Sequence, residues 1–240
     1  MTILAPVSKI PAVTIWFWLV KTMITAADVY WPDYLYRRFG QVVVTGVIVL
    51  AVVVTLAVQF RTRGFRAWAF WPATVAVSVA GTELANGVYD ELRLPYWWIS
   101  VGYLVVLVAV LGWWRAREGT LSLRDVDSPG RERFYWAAAL VAFALGSAIG
   151  HAIIVPDGLL IWAVVVGAIA VGWTWLRFSA VLAFWACYVL TRPLGTSAAL
   201  VLAGRLGQWP VSAGFAVAVV VFAAWAGSRS AGGRRSALRS

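Results

Sequence analysis

The chain has 240 residues, of which 62% are hydrophobic and 12% charged, and its formal net charge is +10. A soluble domain is about 45–50% apolar and about 25% charged, so this composition excludes a water-soluble globular fold for most of the chain. The basic excess does not indicate nucleic-acid binding, because most basic residues lie in short polar segments between apolar runs, as they do in membrane proteins.

Polar breaks divide the chain into eight apolar runs, each close to the roughly 20 residues that a membrane-spanning helix needs. The seventh run contains Arg192 and Pro193, and a proline there is expected to kink or break the helix. Residues 1–227 are therefore predicted to form one transmembrane domain, and the Gly-, Ser- and Arg-rich residues 228–240 a disordered basic cytoplasmic tail. The predicted helices lie near residues 12–35, 41–60, 66–90, 96–114, 133–153, 157–176, 179–203 and 210–227.

The basic residues also predict the orientation. If the N-terminus is cytoplasmic, fourteen of them lie in inside segments and four in outside segments, which favours a cell-membrane protein with both termini in the cytoplasm. The inside residues are Lys9, Arg61, Arg63, Arg66, Arg115, Arg117, Arg124, Arg131, Arg133, Arg177, Arg229, Arg234, Arg235 and Arg239. The outside residues are Arg37, Arg38, Arg93 and Arg205.

A spaced pattern recurs in the first, third, fifth and seventh predicted helices. Each contains an aromatic residue followed by a tryptophan, and these tryptophans are Trp18, Trp71, Trp136 and Trp185. Ten residues further on stand Asp28, Gly81, Gly146 and Gly195, and fifteen further on stand Asp33, Asn86, His151 and Leu200. Small residues allow helices to approach closely in lipid. The pattern predicts four parallel two-helix repeats, near residues 9–60, 66–114, 131–176 and 179–227.

At 100° per residue, the positions 0, 4, 7, 8, 11 and 15 residues after each tryptophan lie on one face of the helix. In the odd-numbered predicted helices this face is unusually polar. We expect these helices to surround an axis and the even-numbered helices to face lipid. Ionisable residues inside membrane spans are costly and often functional. The residues predicted to line a path or form a buried polar cluster are Glu83, Arg192, Asp33, Asn86, His151, Asp28, Lys21 and Thr82.

Several stretches carry a resemblance to a known family. They are Lys9-Ile10-Pro11 with Phe17-Trp18, Arg117–Leu123 (REGTLSL), Phe134–Gly150 (FYWAAALVAFALGSAIG) and Phe184–Ser197 (FWACYVLTRPLGTS). With them, the chain resembles bacterial membrane proteins made of four tandem two-helix repeats with a characteristic tryptophan, a repeat of unknown function. The resemblance implies a membrane location. It also implies an acidic residue fifteen positions after each tryptophan, which this chain keeps only at Asp33.

Arg192 is predicted to lie near mid-membrane and to meet a carboxylate, Glu83 first and Asp33 second. Glu83 lies five positions deeper relative to its tryptophan, which is about 7.5 Å along the axis. Such a pair is either structural or part of a site that handles substrate. The alternative for Lys21 and Asp33 is that they reach the headgroups from near the helix ends.

Two functions remain open on the sequence alone. The first is a small transporter or channel for a cation or small solute, and the second is a non-transporting membrane scaffold or accessory subunit. No enzymatic motif is found in the sequence, so we predict no enzymatic activity and no cofactor. His151 is the one histidine and a weak indication of metal binding. The lipid bilayer is the expected partner, nucleic acid is not, and the sequence fixes neither the substrate nor the oligomeric state.

Overall fold

The computed structural model describes residues 8–153, 157–175 and 179–237, with only the backbone described at positions 33, 174, 223 and 225–237. These residues form nine α-helices and one short 3₁₀ turn, and they contain no strand. The all-helical prediction is therefore confirmed for the described part of the chain. The helices are α1 (Ile15–Ala27), α2 (Trp31–Phe39), α3 (Gln41–Arg61), α4 (Ala67–Leu92), α5 (Tyr96–Glu118), α6 (Pro129–Ala152), α7 (Gly158–Trp175), α8 (Ala180–Leu206) and α9 (Gln208–Ala237).

Four of the described helices are long and apolar enough to cross a membrane, namely α3, α5, α6 and α8. Shorter apolar segments lie in α1, α7 and α9. The 26-residue α4 also carries Glu83, Asp90 and Glu91, which lower its hydropathy. Length and composition are thus consistent with a multi-pass membrane protein.

Burial separates two kinds of helix. The core is built largely from α1, α4, α6 and α8, whose fully buried side chains include Phe70, Phe143 and Tyr188. In contrast, α3 buries only Val44 and Gln59. Most of the surface of α3 is therefore apolar and exposed, as expected for a helix that contacts lipid.

The packing order follows the chain. Helix α3 packs on α4, α5 on α6, and α7 on α8, while α9 returns to pack on α1. The buried helices contact one another in the order α4 with α6, α6 with α8, and α8 with α1, and a smaller contact joins α1 to α4. The four buried helices therefore enclose a common interior.

The structure corrects two of the predicted helices. The first does not run from 12 to 35, because α1 ends at Ala27 and α2 begins at Trp31, with Pro32 in its first turn. Proline lacks an amide hydrogen and is favoured in the first turn of a new helix. Of the kink or break expected at Pro193, the break does not occur, since α8 is continuous from Ala180 to Leu206. Helix α9 runs on to Ala237, through most of the segment predicted to be a disordered tail.

The N-terminal segment ties several helix ends together. The Lys9 Nζ lies 2.6 Å from Oε2 of Glu132, and both side chains are at least nine-tenths buried. The Gln59 amide donates to Oε1 of the same carboxylate at 3.0 Å, and the Lys9 backbone amide donates to the Val126 carbonyl at 2.8 Å. The end of α3, the loop before α6 and the start of α6 therefore meet at one end of the bundle.

Candidate functional site

Arg192 lies at the centre of the buried polar residues. It is 4% exposed, and its Nη1 lies 2.5 Å from Oδ1 of Asp28, so the two form an ion pair between α8 and α1. Its Nε donates to the Ser147 hydroxyl of α6 at 3.1 Å. Its remaining hydrogen bonds go to α4, to the hydroxyls of Ser78 (3.4 Å) and Thr82 (2.5 Å). All four buried helices therefore converge on one guanidinium.

Lys21 adds a second buried cation beside this pair. The side chain has no exposed surface, and Nζ donates to the Tyr188 carbonyl at 2.7 Å and to the Thr191 hydroxyl at 2.6 Å. The ammonium also lies 4.0 Å from the ring centre of Tyr188 and 4.5 Å from that of Phe143, which are cation–π distances. Among the described residues, no carboxylate forms an ion pair with Lys21.

We define the charged cluster by the residues that these contacts join. Its one carboxylate is Asp28, and it contains two basic side chains, so it carries an excess of one positive charge when all three are ionised. Its members are Lys21, Asp28, Ser78, Thr82, Ser147, Thr191 and Arg192.

The partner predicted for Arg192 is wrong. Glu83 does not pair with it but accepts a hydrogen bond from the Tyr36 hydroxyl of α2. Asp28 lies three positions deeper than Arg192 relative to their tryptophans, about 4.5 Å along the axis, which is closer in depth than Glu83. The side chain of Asp33, the second predicted partner, lies outside the described residues.

Lys21 does not reach the headgroups, because it is buried in the charged cluster. Of the predicted site residues, Lys21, Asp28, Thr82 and Arg192 are brought together. Thr191 was not predicted, although its position next to Arg192 is the signal that marks it.

Two further predicted residues lie beyond the cluster, towards the ends of α4 and α6. The exposed His151 ring contacts the Ser147 carbonyl through Nδ1 at 2.8 Å and stacks on Tyr96, with ring centres 4.7 Å apart. The Tyr96 hydroxyl donates to Asn86 Oδ1 at 3.5 Å. The described residues contain no group of three or more His, Cys, Asp or Glu side chains that would hold a metal. His151 therefore lies one helical turn beyond Ser147, outside the hydrogen bonds that define the charged cluster.

The three spaced glycines lie where two buried helices approach each other closely. A Cβ added at Gly81 would lie 2.5 Å from Phe143 of α6, and one at Gly195 would lie 2.5 Å from the Thr25 hydroxyl of α1. A Cβ at Gly146 would lie 2.5 Å from a main-chain carbonyl of α8. Real Cβ atoms do not approach so closely, so each glycine is required by its neighbouring helix.

The four spaced tryptophans form an aromatic layer with the residues that precede them. In each contact, an aromatic residue meets the tryptophan of another buried helix. The pairs and the distances between their ring centres are Phe17 with Trp71 (6.0 Å), Phe70 with Trp136 (5.4 Å), Tyr135 with Trp185 (6.1 Å) and Phe184 with Trp18 (5.4 Å). The aromatic layer therefore links all four buried helices at one level, on the Lys21 side of the cluster.

The fold and the site define a class: an all-helical chain with several apolar helices of membrane-spanning length around a buried charged cluster. Comparison with protein-family models, with curated proteins and with solved structures finds no match.

Proposed function

We propose that this chain is a multi-pass membrane transporter for a small anion, with the charged cluster as its substrate site. In this proposal the molecule has eight spans, arranged as four two-helix repeats around the interior between α1, α4, α6 and α8. The observation that carries the proposal is that two buried basic side chains, Lys21 and Arg192, share one carboxylate in the charged cluster.

Three sets of contacts support the four-repeat arrangement. In the aromatic layer, the residue before each tryptophan meets the tryptophan of the next repeat, and the fourth repeat meets the first. The outer helix of each repeat packs on the buried helix of the next, with α9 returning to α1. The residue ten positions after each tryptophan faces the residue seven positions after the next one. These pairs are Asp28 with Ser78, Gly81 with Phe143, Gly146 with Arg192 and Gly195 with Thr25.

The sequence left a cation or a small solute as the substrate, and of these the charges favour a small anionic solute. Placing basic side chains in a membrane interior costs about 2.5–3.5 kcal/mol each on insertion scales, so a protein keeps them where they pair or act. Asp28 forms its ion pair with Arg192, whereas among the described residues the Lys21 ammonium donates to a carbonyl and a hydroxyl and lies over two aromatic rings. A small anion would neutralise this excess, whereas a cation would add to it.

The surroundings of the cluster support access from one end. On one side the aromatic layer closes the interior with bulky rings. On the other side, the hydroxyls of Thr82 and Ser147 contact each other, and the exposed His151 lies one helical turn beyond Ser147. The arrangement described here is closed, because Arg192 and Asp28 are both buried. Substrate entry therefore requires the buried helices to separate on the His151 side.

Reconstitution into liposomes tests the proposal. Uptake of chloride, phosphate, acetate and succinate would be measured beside that of sodium, potassium and magnesium, with empty liposomes as the background. We expect uptake of at least one anion by the wild type, its loss in Arg192→Gln, and its retention in Arg205→Gln. Arg205 is an exposed arginine of the same helix and serves as the matched control. Background uptake of every anion, or uptake confined to cations, would contradict the proposal.

A non-transporting scaffold is the second candidate, and one observation favours it. Four of the five N–H donors of Arg192 bond to Asp28, Ser78, Thr82 and Ser147, so the guanidinium is held by the protein without a ligand. The cost of burying charge argues against a scaffold. Replacing a buried ion pair with apolar residues is often neutral or stabilises a protein by about 1–4 kcal/mol, so a purely structural role does not need the pair. If the chain is a scaffold, a variant with the Arg192–Asp28 pair replaced by apolar residues should still fold. If it is a transporter, the same variant should lose anion uptake.

A further inference from the structure

A second site lies outside the charged cluster, in the connection between α3 and α4. The groove there has a volume of about 460 Å³. No carboxylate lines it, and three of its residues are arginines. The lining residues are Val58, Arg61, Thr62, Arg63, Arg66 and Trp68. We propose that this groove, the α3–α4 groove, binds the headgroup of an anionic phospholipid.

The arginines are available for a ligand. All three are exposed, and none of them takes part in an ion pair among the described residues. Arg66 occupies the N-cap position of α4, where no side chain caps the helix. The first amides of α4 therefore add their partial positive charge to that of the guanidinium groups. Arginine forks match phosphate oxygens in geometry as well as in charge.

The position of the groove identifies a lipid rather than a free anion. It lies at the end of α3, whose surface is apolar and exposed over most of its length, including Val47, Leu50 and Val54. Trp68 borders the groove and is 67% exposed, as is usual for tryptophan at the level of the headgroups. A molecule that binds here would place an anionic group among the arginines and acyl chains along α3. Basic pockets at the ends of membrane helices bind anionic headgroups in this way.

Lipid titration followed by native mass spectrometry tests the proposal on the full chain in a neutral detergent. The probes are phosphatidylglycerol and phosphatidylcholine with the same acyl chains. We expect phosphatidylglycerol to bind the wild type more tightly. The triple variant Arg61→Gln, Arg63→Gln, Arg66→Gln should lose roughly a hundredfold in affinity, since each basic residue near a membrane surface contributes about 1 kcal/mol and each 1.4 kcal/mol is tenfold.

A matched control removes the same number of charges elsewhere. Arg37, Arg38 and Arg205 are exposed and lie towards the ends of α2 and α8. The triple glutamine variant of these residues should keep the wild-type affinity for phosphatidylglycerol. An equal loss in both variants would show diffuse attraction and overturn the proposal.

Two results on the wild type alone would also overturn it, whether or not the variants fold. The first is equal affinity for the two lipids. The second is displacement of phosphatidylglycerol by inorganic phosphate at matched concentration, which would assign the groove to a soluble anion. Retention of phosphatidylglycerol under that challenge, together with the loss in the groove variant, would establish the site.

Discussion

Gly146→Ala tests the close packing of α6 on α8. The added methyl group would lie 2.5 Å from the Val189 carbonyl oxygen and 2.7 Å from Cβ of Arg192. An ordinary contact is near 3.5 Å, so α6 and α8 would have to separate locally by up to about 1 Å. Overpacking of this kind costs about 1–3 kcal/mol.

The same substitution at Gly102 is the matched control. Gly102 lies within α5, and a Cβ added there would meet nothing within 4 Å. Replacing an interior helical glycine with alanine stabilises a helix by roughly 0.5–1 kcal/mol where there is space. The two variants should therefore differ by roughly 1.5–4 kcal/mol, the sum of the two effects.

Thermal unfolding in one detergent, followed by tryptophan fluorescence, measures this difference. For a protein of 150–250 residues, about 1 kcal/mol corresponds to roughly 2–4 °C, so Gly146→Ala should melt several degrees below Gly102→Ala. If Gly146→Ala melts at or above Gly102→Ala, α6 and α8 do not approach as closely as described, and the role given to the spaced glycines is wrong.

Three other predictions follow from the charges. Arg192→Met and Asp28→Leu should each destabilise the protein by about 3–5 kcal/mol, and the double variant should lose less than the sum; strictly additive losses in detergent melting would refute the pairing. Lys9→Met should destabilise the protein by a similar amount, because it leaves the Glu132 carboxylate buried without its cation. It should also expose the N-terminal segment to limited proteolysis, and unchanged protease resistance would contradict the role given to the Lys9–Glu132 pair. Alkaline phosphatase fused after Ser240 should be inactive, because the charge distribution predicts a cytoplasmic C-terminus, and an active fusion would reverse the orientation.

The sequence predicts the helices well because apolar runs and polar breaks are local features. The predicted run 41–60 corresponds to α3, and the run 157–176 corresponds to α7. The gap between α1 and α2 has no glycine at residues 28–30, and Pro32 in the first turn of α2 is the local signal that the sequence offers for it. Proline is unfavourable inside a helix, but α8 continues through Pro193, which is buried in the bundle.

The partner of Arg192 was mispredicted for a different reason. Spacing from the tryptophan gives the depth of a residue along the axis, but it does not give the order of the helices around that axis. Helix α8 packs directly on α1 and α6, so Asp28 of α1 is a neighbour. Glu83 belongs to α4 and is turned towards Tyr36 of α2. Sequence spacing gives the height of a residue, whereas the choice between carboxylates of similar height also depends on the helix face, since α4 reaches Arg192 through Ser78 and Thr82 but not through Glu83.

Asp28 occupies the position that glycine holds in the other three proposed repeats, and this explains how Arg192 is accommodated. Gly146 of α6 leaves room for the first carbons of the arginine, since an added Cβ would lie 2.7 Å from Cβ and 3.3 Å from Cγ of Arg192. From the other side, the Asp28 carboxylate of α1 neutralises the guanidinium and accepts a hydrogen bond from Ser78 at 2.7 Å. A glycine at position 28 would restore the pattern of the repeats but leave two buried cations without a carboxylate. The departure from the repeat at Asp28 is therefore the feature that allows Arg192 and Lys21 to lie in the same interior.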